Sequence, residues 1–230
     1  MKILALDSSA LVASVALFED ERLLAEYTLN NGNTHSETLL PMVESILNNF
    51  EITPKQIDLF AVSAGPGSFT GVRIGTATIK GLAFASEKPC VEVSTLHAIA
   101  YNLSLHKGLI CPVMNARRSQ VYTALFRSDG ETLTRLIPDS AISTAELDEL
   151  LSAYNEKVLL CGDGYELVQK EFKKTPVLFV PQRLRLQSAA SVATVALKKY
   201  QNGSVCTDLE LRVNYLRPSQ AERERTEKLK

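Results

Sequence analysis

The chain has 230 residues, enough for one large domain or two small lobes with hydrophobic cores, and its 45% hydrophobic and 22% charged content is ordinary for a globular protein. Twenty-five Lys and Arg against 26 Asp and Glu give a net charge of −1, which excludes whole-molecule attraction to nucleic acid or membrane while permitting a local basic patch. Cys90, Cys111, Cys161 and Cys206 are widely spaced with no CxxC pair, which argues against a zinc ribbon or disulfide framework and for buried thiols in a reducing compartment.

The first apolar run, Ile3 to Leu6, is cut short by Asp7-Ser8-Ser9, and Glu19-Asp20-Glu21 follows soon after. A signal peptide needs an uninterrupted apolar region, and a membrane helix needs about 20 apolar residues. The expectation is a cytoplasmic protein with no membrane partner. Residues 2–6 read as a buried strand, 11–18 as a second, and the alternation of Leu23, Ala25, Tyr27 and Leu29 as a third, together a meander. Thr34 and Glu37 have capping-box spacing ahead of a helix over 36–49, striped by Leu39, Leu40, Val43, Ile46 and Leu47 and kinked at Pro41. A strand (57–63), a glycine-rich loop, a helix (70–85), a strand (90–93) and another helix follow.

The same succession then recurs. Strands are predicted over 109–114 and 120–126, and Asp129-Gly130 is a hairpin signal leading to a strand at 132–137. Ser143 and Glu146 form a second capping box, with Ile142 and Leu147 at hydrophobic-staple spacing. A strand (158–161), a helix (165–172), a strand (177–180) and a helix (188–200) complete the order, and the charged tail after Pro218 is expected to be mobile. No repeat is visible residue by residue. The element order alone, two β-β-β-α-β-α units, predicts an α/β protein with the two-lobed, duplicated architecture of the actin, sugar-kinase and Hsp70 (ASKHA) group. The lobes are residues 1–106, which would carry the partner-binding surface, and 107–230, whose final segment is expected to pack back on the first lobe.

That architecture usually binds ATP between its lobes, with an acid at the end of the first strand of each half. The first half offers Asp7, which reads equally well as a metal- or base-bearing acid and as a turn-capping residue. The second half offers Asn115, an amide that does neither acid's work well. In the loop from Ser63 to Arg73, Gly65, Gly67 and Ser68 are candidates for holding a phosphate at the helix start, although the Lys-Ser/Thr pair of a P-loop is missing and a tight turn fits as well. The helix after it carries Gly71, Gly75, Ala77, Thr78, Gly81 and Ala85 on two adjoining small-residue faces. Each interior glycine costs a helix roughly 1 kcal/mol against alanine, which makes sense where another backbone comes close, either this chain's own sheet or a second subunit. Arg117 and Arg118 are candidates for a phosphate contact, although exposed arginine pairs are more often simply solvated. His35, His97 and His106 form no HExxH or HxxxH pair, so no metal site is expected. His35, in a first helical turn, reads as a surface residue.

Taken together, Leu6-Asp7-Ser8-Ser9, His35-Ser36-Glu37 with Leu39-Leu40-Pro41, the block Gly65 to Gly75 with Lys80-Gly81-Leu82-Ala83, Ala116-Arg117-Arg118, Gly162-Asp163-Gly164 and Tyr215-Leu216-Arg217-Pro218 resemble the bacterial TsaB (YeaZ) family over nearly the whole chain. The resemblance implies a non-catalytic subunit in the synthesis of tRNA threonylcarbamoyladenosine (t6A). Such a subunit pairs with the transferase subunit TsaD as a heterodimer, is joined by the ATPase TsaE, and meets tRNA through the complex; in that setting the phosphate contact read for Arg117 and Arg118 would be to tRNA. It further implies a TsaD interface on the helices over 36–49 and 70–85, with His35, Glu37, Leu40, Gly71, Arg73, Gly75, Thr78, Lys80 and Leu82 as contact residues. The two histidines that bind metal in TsaD-like proteins correspond to Thr95 and Ile99 here. The aspartate usual before Ala-Arg-Arg is Asn115, which puts any nucleotide or Mg²⁺ role of that acid in question. No intrinsic cofactor is expected, with ATP or ADP left as a ligand of the subunit interface. Two other readings stand beside this one: an ATP-using phosphotransferase or peptidase-like enzyme of the same fold, and a homodimer formed through the glycine-bearing helix when the partner is absent.

Overall fold

In the computed structural model the structure describes residues 1–217, so the expectation for the charged tail lies outside the described residues. The first unit is β1 (Lys2–Asp7), β2 (Ala13–Glu19), β3 (Arg22–Leu29), α1 (His35–Asn49), β4 (Leu59–Ser63), α2 (Phe69–Ser86), β5 (Cys90–Val93) and α3 (Thr95–Tyr101). The second is β6 (Gly108–Arg117), β7 (Gln120–Ser128), β8 (Leu133–Ser143), α4 (Thr144–Ser152), β9 (Val158–Cys161), α5 (Tyr165–Glu171), β10 (Val177–Phe179), α6 (Gln182–Arg185) and α7 (Ala189–Gln201). The strands form two sheets with the orders β3-β2-β1-β4-β5 and β8-β7-β6-β9-β10. In each, the first three strands pair antiparallel and the last two run parallel to the first. The duplicated ASKHA order is therefore present twice over, with a fifth strand completing each sheet.

Each sheet is covered on both faces, which explains why Ile3 to Leu6 of β1, Leu59 to Val62 of β4 and all of β9 are continuous apolar runs instead of alternating. Helices α1 and α2 cover one face of the first sheet, meeting Leu4, Leu6, Phe60 and Val62 through Leu39, Val43, Ile46, Ile79 and Ala83. The other face, carrying Ile3, Ala5, Leu59 and Ala61, is covered by Val192, Ala193 and Ala196 of α7, a helix from the second half. Conversely, α3 sends Leu96, Ile99 and Ala100 onto Ile110, Met114 and Phe126 of the second sheet. The last helix of each half thus crosses to the opposite sheet, and the two pack against each other between them.

Local signals mostly act as read. Ser143 and Glu146 form the complete capping box, and Ile142 packs in the same cluster as Leu147. The Thr34 box does not form: Thr34 is the N-cap of α1, but its side chain makes no capping bond, and its hydroxyl lies 3.2 Å from that of Ser36. Helix α1 runs on through Pro41, which lies on the exposed side, where water can serve the carbonyl that proline leaves unpaired. Among the described residues no helix is long and apolar enough to cross a membrane.

Candidate functional site

The C-terminal ends of the parallel strands of both sheets carry the polar residues singled out from the sequence, and they approach one another. Asp7, at the end of β1, is fully buried. Its Oδ1 accepts from the Ser9 amide (2.9 Å) and hydroxyl (2.7 Å), and its Oδ2 accepts from the Ser63 hydroxyl at 2.5 Å. Burial raises its pKa against the pull of those hydrogen bonds. The turn-capping reading of Asp7 is therefore met by the chain's own serines. A second carboxyl, from the other lobe, lies close enough to feel it. Asp163, directly after β9, has its pKa raised to about 6 by burial, with the charge of Asp7 adding to the shift. Asp163 also accepts a long bond from the Asn115 amide at 3.4 Å. Sequence reading quoted Gly162-Asp163-Gly164 only for the family resemblance and gave Asp163 no role; its place after an apolar strand, matching that of the Gly65 loop after β4, is the available signal.

The glycine loop is packed against this chain. Gly65 has φ +105°, and a Cβ there would lie 2.6 Å from the Asn214 carbonyl oxygen. The Gly65 carbonyl accepts from the Thr95 amide (3.0 Å), and the Ser68 amide donates to the Ser9 carbonyl (2.6 Å). A Cβ on Gly67 would lie 2.3 Å from that same Ser9 oxygen. Close internal packing thus accounts for these glycines, and the Ser68 amide proposed for a phosphate is already engaged. Thr95, at the start of α3, and Ile99 are both buried, Ile99 within the core of the second sheet. Among the described residues, no group of three or more His, Cys, Asp or Glu is placed to hold a metal ion.

Helix α2 separates its two small-residue faces. Gly71 and Gly75 are buried and face inward: a Cβ on Gly71 would lie 2.1 Å from the Ser8 carbonyl, and one on Gly75 2.5 Å from the Ser8 hydroxyl. Ser8 also donates its hydroxyl to the Gly71 carbonyl at 2.8 Å. The expectation that Gly71 and Gly75 contact a partner is corrected on this ground, because the loop after β1 occupies their face. Gly81 is different. It is exposed, and nothing in the chain lies within 4 Å of where its Cβ would stand. Ala77, Ala85 and Phe84, the last 72% exposed, share the outward side of α2, and Leu40 is 47% exposed on the neighbouring α1.

Of the other expected contact residues, Glu37 and Arg73 are exposed, while Thr78, Lys80 and Leu82 are half-buried. His35 is not a free surface residue: it is half-buried, and its Nε2 donates to the Ala10 carbonyl at 2.6 Å. Of the outward residues of α2, Ala77, Gly81 and Ala85 belong to the two small-residue faces read from the sequence and Phe84 does not, and spacing alone does not say which of those faces turns outward.

The segment after α7 returns along the first lobe as a strap. The Cys206 backbone pairs antiparallel with that of Cys90 on the edge strand β5, both thiols being free, Leu211 is buried, and the Asn214 amide donates to the Ala64 carbonyl at 2.7 Å. Arg73 donates Nε–H to the Tyr215 hydroxyl (2.6 Å), and its guanidinium stacks 3.7 Å from the Phe69 ring centre. The Phe69 and Tyr215 rings are 4.9 Å apart. Arg217 then crosses to the second lobe and donates to the Ala116 carbonyl at 2.6 Å. Next to that contact, Arg117, Arg118 and Ser119 form an exposed turn with three successive left-handed φ values of 63°, 54° and 54°.

Residues 22–223 match the family model described as TsaD, tRNA N6-adenosine threonylcarbamoyltransferase. The chain is 37% identical over 167 residues to the tRNA threonylcarbamoyladenosine biosynthesis protein TsaB of Bacillus subtilis, covering 73% of each. It is 28% identical to the protein of that name from Escherichia coli, over 94% of this chain and 95% of the relative. A solved structure from Pseudomonas aeruginosa, described as an uncharacterized protein with similarity to peptidase YEAZ, superposes with a TM-score of 0.82 at 25% identity, covering 94% of this chain and 99% of that one.

Proposed function

The chain belongs to the TsaB (YeaZ) family, and from that premise we propose that it serves tRNA threonylcarbamoyladenosine synthesis in the cytoplasm as a non-catalytic subunit. It binds and supports a TsaD-type transferase subunit as a heterodimer, which a TsaE-type ATPase joins, and it reaches tRNA through that assembly. The single observation that carries this reading is the division of α2. Two of its interior glycines are spent on the chain's own Ser8, whereas Gly81 sits on an exposed helical face that nothing in the chain requires to be small. A glycine costs an exposed helix roughly 1 kcal/mol, and close approach of a partner helix gives it a use.

The strand ends of the two sheets favour a supporting role over a catalytic one. Asp7 is enclosed by Ser9 and Ser63, the acid expected at the second strand end is Asn115, and the glycine loop packs on Ser9 and Asn214. To test the proposal, the purified chain is mixed with the TsaD-type protein of the same cell and examined by size-exclusion chromatography with light scattering. A stable 1:1 complex is expected, with threonylcarbamoyl transfer requiring both proteins. Transfer by this chain alone, or no complex with or without nucleotide, would overturn the reading.

A further inference from the structure

Three elements distant in sequence converge on one composite surface. Helix α2 supplies Phe69 and Arg73, the strap supplies Tyr215 and Arg217, and the turn after β6 supplies Arg117 and Arg118. Its continuity is fixed by contacts already described: Tyr215 holds Arg73, and two residues later Arg217 holds the Ala116 carbonyl beside the arginine turn. At one end Phe69, Arg73 and Tyr215 meet in a three-way cluster, the guanidinium 3.7 Å from the Phe69 ring centre and the two rings tilted by 31°, and Tyr215, at 43% exposure, leaves much of its side chain open to solvent. At the other end Arg117 and Arg118 are exposed. The whole chain has a net charge of −1, so four arginines on adjoining elements are a local feature and not the echo of a basic protein.

We propose that this surface binds an unpaired segment of RNA, with a base stacking on Tyr215 beside Arg73 and the flanking phosphates meeting Arg217, Arg117 and Arg118. Every base has a π face, and stacking on an aromatic side chain combined with arginine contacts to phosphate is how unpaired strands are held without sequence readout. An acidic protein segment would use the arginines but not the stack. A single nucleotide would not need cations spread from α2 to the turn after β6.

The inference rests on the reading of the chain as a subunit that works on tRNA, and its test separates the two. The probe is a fluorescent RNA hairpin with the anticodon stem-loop of an unmodified substrate tRNA, titrated with the heterodimer of this chain and its TsaD-type partner at low and moderate salt. The double variant Arg117→Glu, Arg118→Glu reverses the charge of two exposed positions. It is expected to weaken RNA binding at least about 10-fold and to reduce the salt slope by about 2. Tyr215→Ala is expected to weaken binding about 5-fold or more, while Tyr215→Phe, which keeps the ring, stays within about 2-fold of wild type.

Light scattering on the same samples reports heterodimer formation. Absence of a wild-type heterodimer overturns the subunit reading. An intact heterodimer whose RNA affinity is unmoved by the arginine variant overturns this inference alone. If Tyr215→Ala does not fold, the arginine variant and Tyr215→Phe decide. Equal displacement of RNA from wild type and Tyr215→Ala by tripolyphosphate, with no difference in RNA affinity, would reduce the surface to a plain anion patch and overturn the stacked base.

Discussion

The strand orders β3-β2-β1-β4-β5 and β8-β7-β6-β9-β10 place Asp7 after the central strand of one lobe and Asn115 at the corresponding end of the other, yet the two ends are finished in different ways. After β1 the chain turns inward: Ser8 and Ser9 are buried, Ser8 lies under Gly71 and Gly75, and Ser9 lies under Gly67. After β6 it turns outward, and Arg117, Arg118 and Ser119 stand exposed in left-handed conformations. In the second lobe the carboxyl that feels Asp7 is Asp163, after β9, and not a residue of β6. A duplicated frame thus repeats the positions, while the residues placed there decide whether a strand end is sealed by its own helix or left open to a ligand.

The sealed end is where that contrast is easiest to break. Gly71→Val would put a side chain where the Ser8 carbonyl already lies 2.1 Å from the Cβ position, and backbone on both sides leaves little room to yield. A loss of about 3 kcal/mol or more is expected, lowering the thermal midpoint by about 6 to 12 °C, as read by thermal and urea unfolding. Wild-type stability in this variant would mean that the loop after β1 is not locked under α2.

Asp163 gives the next largest effect. Its folded-state pKa of about 6 lies above the ordinary value of 3.8, so the protonated form is the one the fold favours. Its contribution is fully present below the unfolded pKa and is lost as pH rises through about 6. Asp163→Asn should therefore be more stable than wild type at pH 7.5 by about 3 kcal/mol, with the difference fading as pH falls below the unfolded carboxylate range. Urea midpoints measured across that pH window check this, and parallel curves for the two proteins would contradict it.

The open end should be tolerant. Arg117 adopts φ 63° without packing on a helix, so Arg117→Gly relieves a left-handed conformation while loosening the unfolded chain. A net change within about 0.5 kcal/mol is expected by the same urea measurement, in contrast to the loss at Gly71. A large loss at Arg117 would show that the exposed turn is as locked as its counterpart.

Much of the frame was legible because its signals are local. The capping box of Ser143 and Glu146 and the turn at Asp129, whose Oδ1 accepts from the Glu131 and Thr132 amides, depend on residues within a few positions of each other. The exchange of α3 and α7 between sheets was not legible. Apolar spacing in a helix such as Ala189 to Leu197 says that it is buried, not which sheet it meets. The same limit applied to the site. Gly71, Gly75 and Gly81 look alike in the sequence, and only the path of the loop after β1 distinguishes the two facing Ser8 from the one facing outward. Asp163 and Tyr215 were overlooked as site residues because their partners, Asp7 and Arg73, are remote in sequence and arrive only with the tertiary fold.

The most direct measurement is a calorimetric titration of the TsaD-type partner with wild-type chain and with Gly81→Trp. Because the space around Gly81 is open, the tryptophan should leave the chain's own thermal midpoint unchanged or slightly raised. Affinity for the partner should fall at least about 10-fold, a change of about 1.4 kcal/mol, as a bulky ring blocks the close approach of the second subunit. Undiminished affinity in a folded Gly81→Trp protein would remove the outward face of α2 from the interface and contradict the account at its centre.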